Sequence, residues 1–124
     1  MTDTEQRSAA TKFYNDWRGI GNEKSDCHRF WIDFFTNVLG IEDVLKKIEF
    51  EKSVVVNGQT KYIDVYIPET RVLIEQKSID KDLDKKMSQS DGSMRTPFEQ
   101  GRNYAQWMIP NETPLWIITC NFKS

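Results

Sequence analysis

The sequence predicts an α/β domain with a mixed sheet, in which two helices precede three strands, a further helix and a last strand. Three observations predict this class. Apolar residues recur at helical spacing in the first forty positions, Tyr62–Ile67 and Val72–Lys77 are rich in β-branched and aromatic residues, and an apolar run lies near the end. At 124 residues, the chain is expected to form one domain over 1–124 with a single core.

Two helices are predicted at the start. The first runs from Thr4 to about Arg18 and is ended by glycines. The second is capped by Asn22 or Ser25, continues through Leu39 and stops at Gly40. Their apolar stripes are Ala10, Phe13, Tyr14 and Trp17 in the first, and Cys27, Trp31, Phe34, Phe35 and Val38 in the second.

Three strands follow the helices. The first runs from Lys47 to Val56, and the pair Asn57-Gly58 marks a turn into the second. Tyr62–Ile67 and Val72–Lys77 then form the arms of a hairpin around Pro68-Glu69-Thr70-Arg71.

The last third of the chain begins with a polar loop through Arg95. Thr96 or Pro97 opens another helix, which breaks before Pro110. The final strand, Leu115–Cys120, is apolar on both faces, so we expect it to be a central strand of the sheet.

The hairpin brings charged side chains together. If it closes symmetrically about Glu69 and Thr70, Asp64 faces Glu75, and Lys77 lies on the same face. Opposed Cβ atoms lie roughly 4.5–5.5 Å apart, so the two carboxylates repel each other unless a cation lies between them. The hairpin alone fits either a metal site or a salt-bridged, solvated sheet face.

The two faces of the hairpin differ in character. We expect a helix to cover the apolar face and to leave the charged face accessible. Asp84-Lys85-Lys86 repeats the short acidic-to-lysine pattern, but it lies in a polar run without strand character. The residues assigned to the apolar face are Ile63, Val65, Ile67, Val72 and Ile74.

Composition limits the classes of function. The net charge of −2 argues against strong non-specific binding of nucleic acid by this domain alone. Two cysteines, Cys27 and Cys120, are too few for a disulfide scaffold or zinc site and are expected to be buried. Without a membrane span or signal peptide, we expect no membrane partner and a cytoplasmic protein.

The chain resembles the nuclease superfamily with a PD-(D/E)XK core. The order αβββαβ after an extra N-terminal helix matches this restriction-endonuclease-like fold, with Asp64 and Glu75-Gln76-Lys77 at the motif positions. Gln100 and Tyr104, one helical turn apart, resemble the Gln-x-x-x-Tyr motif of its RecB-like branch.

A closer resemblance is to the N-terminal domain of MmeI-like restriction–modification enzymes of types IIL and IIG. In these enzymes a nuclease domain precedes a helical spacer, an adenine methyltransferase and a target-recognition domain. The Glu75-Gln76-Lys77-Ser78 run is the most specific element. The other matching segments are Phe30-Trp31, Leu39-Gly40, Phe50-Glu51, Ile63–Tyr66, Leu73-Ile74, Asp82-Leu83, Gln100–Ala105 and Cys120–Phe122.

The resemblance implies a Mg²⁺-dependent endonuclease domain, with Mn²⁺ as a substitute metal. It assigns Asp64, Glu75 and Lys77 to catalysis, and it adds the backbone carbonyl of Gln76 to the two carboxylates as a metal ligand. Glu23 resembles an accessory acidic ligand, although favourable charge in the first turn of a helix explains it equally well.

The same resemblance implies partners. Gln100 and Tyr104 are auxiliary contacts to the phosphate or the attacking water, although packing of Tyr104 on the sheet explains that residue about as well. The implied substrate is double-stranded DNA. Because the chain is acidic and shows no basic helix, we expect this domain alone to bind DNA weakly and without sequence preference. S-adenosylmethionine is a cofactor only for a methyltransferase domain of the parent chain, beyond residues 1–124. The alternative is a catalytically silent domain of the same fold that acts as a scaffold for the methyltransferase.

Overall fold

The chain forms a four-stranded mixed sheet with helices on both faces and a separate two-stranded hairpin. A computed structural model describes every residue from Met1 to Ser124. The α-helices are α1 (Asp3–Trp17), α2 (Glu23–Asp33), α3 (Val44–Lys47) and α4 (Pro97–Ala105). The strands are β1 (Glu49–Val56), β2 (Gln59–Ile67), β3 (Val72–Gln76), β4 (Met87–Ser88), β5 (Met94–Arg95) and β6 (Trp116–Cys120). The predicted α/β class is confirmed, and the predicted elements occur in the expected order, with α3, β4 and β5 in addition.

The strand order of the main sheet is β1-β2-β3-β6, with antiparallel pairs up to β3 and a parallel pair between β3 and β6. The expectation that the last strand is central was therefore wrong, because β6 lies at an edge. Its apolar character does not reflect burial on both faces, since Trp116 is 67% and Ile118 42% exposed. The β4–β5 hairpin forms within the segment expected to be a loop.

The helix starts follow from their caps. Thr2 and Glu5 form a capping box at α1, and the Asn22 side chain accepts hydrogen bonds from the first turn of α2. Thr96 and Glu99 form a second capping box at α4. After α2 the chain continues as a π-helical turn, Phe34–Val38, so the predicted second helix is present with a change of winding. The short α3 was not predicted.

Helices cover both faces of the sheet. On one face of the sheet, called the α2 face, Phe30 and Trp31 of α2 pack with Ile74. On the other, called the α4 face, Tyr104 of α4 packs with Leu73. Since side chains alternate along a strand, Glu75 shares the α4 face with Leu73. The expectation that this charged face is accessible was wrong for Glu75, which α4 buries, whereas Asp64 and Lys77 are only partly buried.

Gly101 explains how α4 comes so close to the charged face. A Cβ atom at this position would lie 3.1 Å from Leu73 Cδ2 and 3.3 Å from Glu75 Cγ. A glycine therefore permits the close approach that buries Glu75.

The alternation along β2 is interrupted at Asp64. Val65 packs in the α2 cluster as expected, but Ile63 packs with Tyr66 in the α4 cluster. Ile63 was therefore assigned to the wrong face. The irregularity lies beside Glu51 of β1, whose φ of 53° is unusual for a non-glycine residue in a strand.

No helix of the structure is long and apolar enough to cross a membrane.

Candidate active site at the end of the central hairpin

The predicted register of the β2–β3 hairpin is confirmed. Val65 lies opposite Ile74, and Ile67 lies opposite Val72. Beyond these pairs the regular ladder stops, and the backbone N–H of Gln76 donates to the carboxylate Oδ2 of Asp64 at 2.7 Å. This bond turns the Asp64 side chain toward the end of β3, beside Glu75.

Glu75 is the least solvated carboxylate of the site. Its side chain is 1% exposed, and its Oε1 atom is buried without a hydrogen-bond partner. Burial raises the pKa of Glu75 well above its ordinary range, and the nearby charge of Asp64 raises it further. A buried oxygen without a partner costs free energy, so a group that could engage it would stabilise this arrangement.

Asp64 is partly buried and lies next to Glu75, so that each carboxyl group affects the pKa of the other. Burial raises the pKa of Asp64 from 3.8 to about 6, while the hydrogen bond from Gln76 opposes this increase. The two acidic groups are thus adjacent, poorly solvated and mutually repulsive when both are ionised.

Lys77 belongs to a chain of polar contacts that ends at α4. Its Nζ donates to Gln100 Oε1 at 2.9 Å, and Gln100 Nε2 donates to the Tyr104 hydroxyl at 2.9 Å. Tyr104 is buried, and the charges of Glu75 and Asp64 contribute to its raised pKa, although burial is the larger cause. Gln100 and Tyr104 therefore lie beside the carboxylate pair, and Tyr104 also packs on the sheet, which was the alternative explanation of that residue.

Glu23 reaches the same place from the first turn of α2. Its Oε1 lies 3.9 Å from Lys77 Nζ, and its backbone N–H donates to Ser78 Oγ at 2.9 Å. A second hydrogen bond, from the backbone N–H of Ile79 to the carbonyl of Gly21 at 3.0 Å, holds the start of α2 against the segment after β3. The structure thus brings all the predicted site residues together at one end of the hairpin.

The positioning roles of two side chains, those of Ser78 and Gln76, were not assigned from the sequence. The Ser78 hydroxyl holds the start of α2, as described above. The fully buried Gln76 side chain accepts a hydrogen bond from Trp31 Nε1 at 2.8 Å and donates to the Lys77 carbonyl at 3.1 Å. The apolar stripe of α2 identified Trp31 as buried, but nothing in that pattern indicated what its indole N–H contacts.

The donor set is compatible with a hard divalent cation. Nowhere in the structure do three or more His, Cys, Asp or Glu side chains gather as a metal site. Mg²⁺ does not need such a group, because it keeps several waters and is commonly held by one or two carboxylates. The unpartnered Glu75 oxygen beside the Asp64 carboxylate fits that mode of binding.

Comparison with known proteins identifies a family. The sequence profile described as the N-terminal domain of MmeI matches residues 8–124. No curated protein and no solved structure matched the chain. The matched residues include the β2–β3 hairpin, α4 and the hydrogen-bonded side chains of Lys77, Gln100 and Tyr104. The chain therefore belongs to the family of MmeI N-terminal domains, which are parts of restriction–modification enzymes.

Proposed function

We propose that this chain is the nuclease domain of a restriction–modification enzyme and hydrolyses phosphodiester bonds of double-stranded DNA with Mg²⁺. The observation that carries the proposal is the buried, unpartnered Oε1 of Glu75 beside the Asp64 carboxylate. Adjacent carboxylates destabilise a fold without a cation, and perturbed acidic groups concentrate at functional sites. The family membership supports the same class of enzyme.

In this proposal Asp64 and Glu75 hold the metal, together with the backbone carbonyl of Gln76. Glu23 is an accessory acidic group, and Mn²⁺ substitutes for Mg²⁺. The chemistry that the bound metal supplies is activation of water and neutralisation of charge on the phosphate. The hydrogen bond from Gln76 N fixes the direction of the Asp64 carboxylate, so the ligand geometry is set by β3 itself.

Lys77 stabilises negative charge on the phosphate or orients the attacking water, because its ammonium group is a compact donor with three N–H bonds. It is only 12% exposed, and Gln100 holds its Nζ at 2.9 Å. Gln100 and Tyr104 thereby position the lysine and contribute polar contacts to the substrate side of the site.

A silent scaffold domain is the second candidate function. The observation that favours it is the lack of any group of three or more His, Cys, Asp or Glu side chains. Against it, a domain without catalysis gains nothing from the repulsion between Asp64 and Glu75. Measured cleavage separates the two candidates.

The proposed partners follow from the same reasoning. The domain alone binds duplex DNA weakly and without sequence preference, because the chain carries a net charge of −2. Specific binding is supplied by a target-recognition domain of the parent chain, and modification by its S-adenosylmethionine-dependent methyltransferase domain.

The proposal is tested with Asp64→Ala, Glu75→Ala and Lys77→Ala in the full-length enzyme. Each variant should abolish cleavage of plasmid DNA in Mg²⁺ while leaving DNA methylation and thermal unfolding of the remaining domains unchanged. Asp84→Ala is the matched control, since Asp84 is an exposed loop residue. Near-wild-type cleavage by any of the three variants removes that residue from the proposed site, and cleavage by all three overturns the proposal.

A further inference from the structure

A polar pocket lies next to the proposed active site and shares a wall with it. Its volume is about 90 Å³, and only two of its eleven lining residues are hydrophobic. Gln100 and Tyr104 line this pocket and are also the residues that connect Lys77 to α4. The pocket therefore continues the polar surface of the site toward the turn between β1 and β2.

The residues that line the pocket carry a net positive charge, whereas the whole chain is negative. The charged lining residues are the cations Lys61 and Arg95 and one anion, Asp91, and the whole chain has a net charge of −2. Asp91 is paired with Arg95 at 3.3 Å, and hydrogen bonds from Ser93 lower its pKa to about 2. The Arg95 charge is therefore balanced by a carboxylate that stays ionised.

Lys61 is the cation without a counter-ion. It is half-buried, it forms no ion pair, and its ammonium group contacts the neutral hydroxyl of Ser90 in the β4–β5 loop. The uncharged polar lining consists of side-chain amides, which include Asn57 and Asn103, and of the hydroxyls of Ser90 and Tyr104. With Asp91 paired to Arg95, Lys61 and these neutral groups are suited to an anionic ligand with several acceptor oxygens.

The ligand chemistry follows from size and position. A small pocket of about 90 Å³ with a mostly polar lining suits the oxygens of one phosphate group rather than a large apolar ligand. The pocket adjoins the site at which, under the proposed function, a DNA phosphodiester is cut. A neighbouring phosphate of the same strand is then the anion that comes within reach.

We propose that this pocket is a phosphate-binding subsite in which Lys61 holds a DNA phosphate that flanks the scissile bond. The inference rests on the proposed nuclease function for the identity of the ligand. It assigns to the β1–β2 turn and the β4–β5 hairpin the role of aligning the cut strand. Lys61 is in this view a positioning residue that fixes the strand against Lys77.

The test combines two readouts on the full-length protein. In the first readout, the cleavage rate is measured on duplexes that carry a single methylphosphonate linkage, which removes one phosphate charge. The linkage is placed in turn at each position around the mapped cut. Wild type should lose about tenfold in rate at one flanking phosphate. Lys61→Ala should lose about tenfold on unmodified DNA and show no further loss at that linkage, because both changes remove the same contact.

The second readout is the salt dependence of duplex binding. Removing one phosphate contact should reduce the slope of log affinity against log salt by about 0.9. Lys46→Ala, on the exposed surface of α3 and outside the pocket, is the matched control and should behave like wild type in both readouts. Inorganic phosphate is added as a competitor to separate a free-phosphate site from a DNA subsite.

Each outcome decides one of the two proposals. If wild type cleaves DNA, the rate losses from Lys61→Ala and from the methylphosphonate are additive, and the salt slope of Lys61→Ala is unchanged, the subsite is overturned while the nuclease function stands. A reduced slope in Lys61→Ala without any cleavage by wild type overturns the nuclease function and the position of the subsite beside a scissile bond, while a contact between Lys61 and a DNA phosphate stands. In a third outcome, inorganic phosphate raises the melting temperature of wild type but not of Lys61→Ala, and the salt slope of DNA binding is unchanged. This outcome reassigns the pocket to free phosphate and overturns the DNA subsite.

Discussion

Replacement of Asp64 by asparagine should stabilise the metal-free domain at neutral pH. Burial raises the pKa of Asp64 from 3.8 to about 6, so the folded state disfavours its ionised form. At about 1.4 kcal/mol for each tenfold change in proton affinity, ionisation costs the fold up to about 3 kcal/mol at pH 7. Asparagine keeps an oxygen acceptor for the Gln76 N–H and removes the charge.

The pH dependence gives the sign of the effect. An acid whose pKa is raised on folding contributes its full stability below the unfolded pKa, and this contribution is lost as the pH rises through the folded pKa. The advantage of Asp64→Asn over wild type should therefore be absent below about pH 3, grow between about pH 4 and pH 6 and reach about 2–3 kcal/mol by pH 7. For a domain of this size, that is roughly 10 °C in melting temperature.

The assay is thermal unfolding in EDTA at several pH values, repeated with Mg²⁺ or Mn²⁺. Wild type should gain about 1.4 kcal/mol at a metal concentration of ten times the dissociation constant, and Asp64→Asn should gain nothing. Asp84→Asn changes an exposed loop carboxylate and should leave both effects unaltered. If Asp64→Asn is no more stable than wild type in EDTA at pH 7, or if it responds equally to metal, the reasoning about the carboxylate pair is refuted.

Three further predictions concern the support of the site and its affinity for DNA. Trp31→Phe should cost about 1–2 kcal/mol in urea unfolding, because the buried Gln76 amide loses its donor while the aromatic packing remains; no loss would show that this hydrogen bond is unimportant. Thr96→Ala should cost about 1 kcal/mol of thermal stability and Thr96→Ser much less, because only alanine removes the cap of α4; equal losses would contradict the capping role. In fluorescence anisotropy at physiological salt, residues 1–124 should bind duplexes of different sequence with the same weak affinity, and sub-micromolar selective binding would contradict this expectation.

Local chemistry accounts for what the sequence could predict. The turn around Pro68–Arg71 sets the register of the hairpin, and that register places Asp64 beside Glu75. The caps Asn22 and Thr96 mark the starts of α2 and α4 because their side chains satisfy free backbone N–H groups.

What could not be predicted depends on contacts between distant segments. Alternation along a strand separates two faces but does not say which face a helix covers. Glu75 is buried because Gly101 lets α4 approach, and nothing local to β3 indicates this contact. The edge position of β6 was missed because Trp116 and Ile118 are apolar yet exposed. The indole contact of Trp31 with Gln76 joins residues 45 positions apart.

A calorimetric titration of Mn²⁺ into wild-type protein and into Glu75→Gln tests whether Asp64 and Glu75 together bind a divalent cation. In the proposed site, the buried Oε1 of Glu75 is one of the ligands. Wild type should show a saturable exothermic or endothermic binding event that competes with Mg²⁺. Glu75→Gln should remain folded and lose this event. Unchanged Mn²⁺ affinity in Glu75→Gln would contradict the account, because the metal would then be bound elsewhere.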